Sequence, residues 1–266
     1  MSVRRLSILL LIFLCTGPLS AEQRSQLRLC YELGGLPPYA SSAAPIEQPG
    51  LIIELIQQAA QQAGLSLKLH QEPWKRCVHQ VQQGHSDGLF IAVWQADRDA
   101  WGHFPGRDAL AGTPVNSAQR LWRVEYPVIV RSDATLQWDG RQFTGVRHGV
   151  GAPLGYVVAQ RLRELGVLSS ESLAPAKALK LVAAGRLDGY VLEREIAQEL
   201  IESQQLEGQL MFLPQPLLVT EWYLPLSHQF YAAHPAQAEA LWQALAEQRE
   251  RLGAELARRY LRQPPP

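Results

Sequence analysis

The sequence is short of charge excess, of long apolar runs and of cysteine, and each shortage removes a class of protein. Its 25 basic and 25 acidic side chains cancel to a formal net charge of +0, so there is no electrostatic case for binding nucleic acid and the partner should be small or neutral. The apolar run near its start, Leu6–Leu14, is roughly ten residues long, less than the ~20 that a membrane-spanning helix needs. Three cysteines, one of them Cys15 inside that leading segment, leave Cys30 and Cys77 for the rest of the chain. Catalytic signatures are equally scarce. No G-x-S-x-G occurs, and the glycines at Gly149 and Gly151 match no P-loop. The 7 histidines are scattered, and His79 and His85 lack the spacing by which a helix face presents a metal pair. Neither a resident metal nor another cofactor is expected, and hydrolytic or metal chemistry has little support.

What is present begins with an export signal. Arg4 and Arg5 precede the apolar run, and Gly17-Pro18 leads to the small-residue site Leu19-Ser20-Ala21, the pattern of a signal peptide cleaved after Ala21. Leu14 before Cys15 speaks against a lipid-modified cysteine, so the expected location is periplasmic and without a lipid anchor. Roughly 245 residues then remain, 47% of the whole sequence being hydrophobic, enough for two domains with a substantial core. In an oxidising compartment the even count of Cys30 and Cys77 favours a disulfide, with two buried free thiols as the alternative.

The stretch Gln71–Arg98 organises the rest. Pro73 just inside a helix start and Gly84 just past its end predict a helix over 73–83. Leu89 to Val93 follows as an apolar run without helical period, which suits a strand buried on both faces of a parallel sheet. Before it, Leu27–Tyr31 reads as a strand and Gly34 to Tyr39 as a proline-stiffened loop presenting Tyr39. Leu51, Ile52, Leu55, Ile56, Ala59 and Ala63 mark a helix stopped by Gly64, and Ser66–His70 a second strand. Such β-α-β order implies right-handed crossovers in a parallel sheet.

Past Arg98, Trp101–Asn116 reads as irregular connection. Arg120–Val124 and Tyr126–Arg131 read as extended, Trp138 to Gly140 as a turn and Thr144–His148 as a strand. Gly149-Val150-Gly151-Ala152 reads as a glycine loop opening a helix around Tyr156–Leu165, whose amides could hold an anion or carboxylate. A helix around Ala174–Leu181 is followed by Gly185 to Asp188, which echoes Gly84 to Asp87, and then by a strand at Gly189–Leu192. Glu195–Glu202 is helical and Leu217–Leu226 extended. A helix Ala236–Gln248, the run Leu252–Leu261 and a disordered tail Gln263–Pro266 end the reading.

Pro73, Trp74, a basic residue, a helix ended by Gly84, then Asp87, an apolar strand and Arg98 opening the next helix resemble the type II periplasmic solute-binding proteins. The likeness is to the family 3 amino-acid-binding group and covers about the whole length after the leader. It implies an α/β, two-lobed fold, each lobe a mostly parallel sheet flanked by helices, with two crossover strands as hinge. The implied division is signal peptide 1–21, first lobe 22–124, second lobe 125–218, and a return to the first lobe over 219–266.

Ligands in such sheets lie beyond the carboxyl ends of the strands, which selects Tyr39, Trp74, Phe90, Trp94, Arg98, Gly149, Val150, Gly151 and Glu193. By resemblance Tyr39 covers the ligand, Arg98 binds its carboxylate and Glu193 its ammonium, tasks that suit a bidentate guanidinium and an acid. Core packing for Tyr39 and Phe90, and surface ion pairs for Arg98 and Glu193, are the structural alternatives. Ile91, Ala92, Trp94 and Val150 stand where family members place serines and threonines, so the pocket should be less polar, and its aromatics suit an aromatic or cationic ligand. The implied function is that of a monomeric solute-binding protein serving an ABC permease or a sensor in the inner membrane, with no catalytic residue. Cyclohexadienyl dehydratases resemble the same fold, and there Glu193 would be the catalytic acid.

Overall fold

The first sheet is set by the alternation of helix and strand that opens the chain. In the computed structural model, which describes residues 26–42, 48–170 and 173–262, β1 (Gln26–Glu32) is followed by α1 (Leu51–Gln62), β2 (Ser66–Glu72), α2 (Trp74–Gln82) and β3 (Gly88–Leu89). The expected signal peptide and C-terminal tail lie outside the described residues. The strands stand in the order β2-β1-β3 and both pairings are parallel. Helix α1 forms because Leu51, Ile52, Leu55, Ile56 and Ala59 share one apolar face, all of it buried.

The apolar run 89–93 is not one strand. Ile91 has a φ of 66°, in the left-handed region that a β-branched residue rarely adopts, and the chain turns there. Beyond it β4 (Ala92–Val93) leaves the first sheet and joins the hinge described below. Two short strands thus serve two sheets, which an apolar run alone does not reveal.

The chain continues through β5 (Trp122–Tyr126), β6 (Val128–Arg131), β7 (Gln137–Trp138), β8 (Phe143–Thr144) and β9 (Val150–Gly151) to α3 (Val157–Glu164) and α4 (Pro175–Ala183). Then come β10 (Gly189–Val191), α5 (Arg194–Ser203), β11 (Leu210–Phe212), β12 (Leu218–Tyr223), α6 (His228–Ala233) and α7 (Pro235–Tyr260). The second sheet has the order β11-β6-β10-β9. It is mixed rather than mostly parallel: β10 runs parallel to β9, whereas β6 runs antiparallel to both β10 and β11.

A third sheet, β4-β12-β5, is antiparallel and joins the two lobes. At the crossing, Leu217 N–H donates to the Tyr126 carbonyl and Leu213 N–H to the Val128 carbonyl, each at 2.9 Å. The two crossover segments therefore lie side by side as a hinge. The expected helix Ala236–Gln248 and most of the run Leu252–Leu261 form one helix, α7. Its Gly253 does not break it, since glycine costs a helix only ~1 kcal/mol, and the residue lies against the Trp122 ring. Cys30 and Cys77 are bridged, with Cα atoms 5.5 Å apart and both residues fully buried. The bond ties the end of β1 to the start of α2. Among the described residues no helix is long and apolar enough to cross a membrane.

Candidate functional site

Arg98 lies in a short 3-10 turn, Ala96–Ala100, just past β4. Only 8% exposed, its guanidinium donates to the Val93 carbonyl at 2.8 Å and, across the cleft, to the Gly155 carbonyl at 3.3 Å. It also sits 5.5 Å from the centre of the Trp74 ring. No carboxylate stands within ion-pair distance of it among the described residues, and burial pulls its pKa down, because a cation without a counter-ion is disfavoured away from water.

Trp74 opens α2, and its backbone N–H donates to Glu32 Oε1 at 3.3 Å. Glu32 ends β1, and burial pushes its carboxyl up.

Glu193 stands where β10 gives way to α5. Its Oε2 accepts from Ile196 N–H at 3.0 Å, capping that helix, and its Oε1 accepts from the Tyr39 hydroxyl at 2.9 Å. It is 2% exposed. Burial raises its pKa to about 8 against the opposing pull of those hydrogen bonds. Neither the surface-pair alternative for Arg98 nor that for Glu193 describes these buried groups.

Arg98, Trp74, Glu32 and Glu193 line one cavity with Tyr31, Phe90, Tyr126, Tyr156, Trp222 and Gly155. Its volume of about 30 Å³ takes water-sized guests, so an amino-acid-sized molecule requires the lobes to part. The contacts that hold them together include Arg98 to Gly155 and Tyr39 to Glu193 beside the cavity, and Arg262 to Glu195 and Glu199 at the end of α7. Walls of aromatic rings with one guanidinium and two carboxyls form a chamber suited to a ligand carrying both signs of charge. Among the described residues no group of side chains could hold a metal ion.

Of the other expected site residues, Tyr39 and Trp94 lie elsewhere, whereas Phe90 is at the cavity. Tyr39 is 2% exposed, packs edge-on against Trp222 at 4.8 Å and does not line the cavity. It is a core residue whose hydroxyl reaches the site. Trp94 faces away from the cleft: its indole N–H donates to Asp99 Oδ1 at 2.9 Å, and Arg107 lies 5.1 Å over its ring. Phe90 lines the cavity while packing on Tyr31 at 5.1 Å.

Gly149, Val150 and Gly151 require a correction. They are not a loop at a helix start, because Val150 and Gly151 form β9. The amide of Gly149 is taken by Asp188 Oδ2 at 2.8 Å, as are those of Arg147 and His148, each at 2.6 Å. The Val150 amide is bonded to the Val167 carbonyl. With the Gly149 amide held by an internal carboxylate and the Val150 amide by a backbone carbonyl, neither is free to hold an anion. Asp87 does the matching work in the first lobe, accepting from the Arg28 backbone N–H at 2.7 Å and from its guanidinium. The echoed Gly-x-x-Asp motif is thus a strand anchor in both lobes.

Glu32, Tyr126, Gly155 and Tyr156 were missed. Glu32 was findable, since it ends the first strand where ligand sites of open sheets lie. Gly155 and Tyr156 occupy the true approach to α3, hidden by the misplaced glycine loop.

No protein-family model matches the sequence, and no curated protein sequence is similar to it. Solved structures are similar in fold. A histidine kinase sensor domain, itself described as similar to periplasmic binding proteins, aligns over 90% of this chain and 97% of its own with 18% identity and a TM-score of 0.71. The fold is that of the periplasmic binding proteins. A GluR0 ligand-binding core from Nostoc punctiforme, solved with L-glutamate, covers 89% of this chain and 99% of its own at 16% identity and a TM-score of 0.66. An ancestral arginine-binding protein bound to arginine covers 90% and 99% at 13% identity and a TM-score of 0.69. In this periplasmic-binding-protein fold the cavity lies between the lobes, with Glu32, Trp74 and Arg98 on the first and Gly155, Tyr156 and Glu193 on the second.

Proposed function

We propose that this chain is a periplasmic solute-binding protein of the family 3 type, whose lobes close on an amino acid with a second cationic group. A permease or sensor in the inner membrane would receive the ligand or read the closed state, and the protein acts as a monomer exported with residues 1–21 removed. In this reading residues 22–124 and 219–266 form the first lobe and 125–218 the second. The observation that carries the proposal is the charge pattern of the cavity: a buried guanidinium without a carboxylate partner shares it with a buried acid on the other lobe and with a second acid, Glu32.

The ligand carboxylate would fork onto Arg98 in a charge-assisted pair, and its ammonium would go to Glu193. A distal cation would reach Glu32, and its alkyl stem would lie against the rings of Trp74, Phe90 and Tyr156. Likeness in fold to structures solved with glutamate and with arginine supports an amino acid as the class. The dehydratase alternative would use Glu193 as the proton donor, and the likeness in fold to structures solved with bound amino acids favours binding.

A thermal-shift screen of amino acids, amines and small acids tests the reading. Arginine, lysine or ornithine should stabilise the protein, by about 2.7 kcal/mol at a hundred times the dissociation constant. Stabilisation by neutral or acidic amino acids alone would remove the role given to Glu32. Consumption of prephenate or arogenate would return the enzyme reading.

A further inference from the structure

The hinge sheet has a second hollow on the face turned away from the cleft. Along β12 and β5, Trp222 and Tyr126 face the cavity, so the alternating Glu221 and Arg123, which are register partners, face outward. With Trp94, Val115, Val219 and Tyr223 they line a hollow of about 420 Å³, within the ~300–1,000 Å³ typical of small-molecule sites.

We propose that this hollow is a second ligand site, that it takes a small aromatic carboxylate, and that its occupancy is coupled to closure of the cleft. The charge argument rests on Arg123, which is exposed and has no ion-pair partner among the described residues. Its charged neighbours are engaged. Arg107 is paired with Asp99 at 2.7 Å and Arg194 with Glu125 at 3.1 Å. Glu221 accepts from the Ser117 hydroxyl at 2.6 Å and the Tyr223 hydroxyl at 2.5 Å, with Arg120 at 3.6 Å. One uncompensated guanidinium at the mouth selects a carboxylate. The half-buried Trp94 indole and the side chains of Val115 and Val219 supply the apolar walls, which select a flat ring.

The coupling follows from position. The hollow takes residues from β5 and β12 and, just past β4, Trp94, so it spans the sheet on which the lobes turn. A molecule touching all three makes different contacts when that sheet bends, which is the condition for one site to bias another. None of this depends on what the cleft binds.

Fluorine NMR titration with para-fluorobenzoate tests it. Saturable binding is expected at concentrations up to about 10 mM, weakened at least about tenfold in Arg123→Ala and still saturable in Arg98→Ala, which empties the cleft of its guanidinium and, by loosening closure, shifts the affinity only through the coupling. Arg123 is exposed, so its variant should fold, as circular dichroism would verify. Absence of saturation, binding indifferent to Arg123→Ala, or binding lost in Arg98→Ala would each overturn the site. A radius of gyration that small-angle scattering finds unchanged on saturation would overturn the coupling.

Discussion

Tyr39 of the first lobe donates its hydroxyl to Glu193 of the second at 2.9 Å, with both residues buried. The tyrosine expected to cover a ligand instead holds the acid expected to bind one. Tyr39→Phe keeps the ring against Trp222 but leaves a buried carboxyl oxygen without its donor, at about 1–3 kcal/mol. Because this hydrogen bond pulls the Glu193 pKa down, the variant should titrate at still higher pH. Urea unfolding and carboxyl-carbon NMR of the two proteins would measure both effects, and unchanged values would show the contact to be unimportant.

The raised pKa of Glu193 makes stability depend on pH. Folded, the group holds its proton up to about pH 8, whereas unfolded it releases it near 4.3, its value in water. Between those limits the native state carries the extra proton. The contribution is therefore full below the unfolded value and declines as pH rises, by up to about 1.4 kcal/mol per pH unit, until it levels off above the folded value. Glu193→Gln should flatten this slope. A wild type no more pH-sensitive than the variant over that window would contradict the assignment.

An ammonium brought against Glu193 favours the charged carboxylate. Ligand binding near neutral pH should therefore release about one proton. Calorimetry in buffers of different ionisation enthalpy counts it directly. Arg98→Ala should abolish binding of any carboxylate ligand, while Glu193→Gln should weaken amino acids more than their des-amino analogues and release no proton.

Asp188 gathers three backbone amides, those of Arg147, His148 and Gly149, onto one oxygen. Asp188→Ala should destabilise the second lobe by about 2 kcal/mol without changing the affinity of the folded protein for its ligand. A large loss of affinity with intact stability would restore the glycine segment as a ligand site.

The Cys30–Cys77 bridge closes a sequence separation of 47 residues, and a loop of that length corresponds to about 4 kcal/mol on the chain-entropy account. Non-reduced peptide mapping should find the linked pair, and the double serine variant should lose stability of that order. Equal stability with and without reductant would refute it.

What the sequence determined by itself was whatever is local or periodic. The apolar spacing of Leu51 to Ala59 and the Pro73 and Gly84 boundaries specify α1 and α2, because helix propensity and burial of one face act over a few residues. The order of such elements specified an open α/β sheet, and the strand ends pointed to Arg98 and Glu193. Only the tertiary structure decided which apolar residues share a sheet. Leu89 and Val93 look alike in sequence, yet Ile91 turns the chain and sends them to different sheets. It decided likewise that Asp188 consumes the amides of the glycine segment, that Tyr39 goes to the core and Trp94 to the far side of the hinge, and that Glu32 joins the cavity. Each of those outcomes depends on a partner far away in the chain, and contacts made across long separations leave no pattern in the residues on either side.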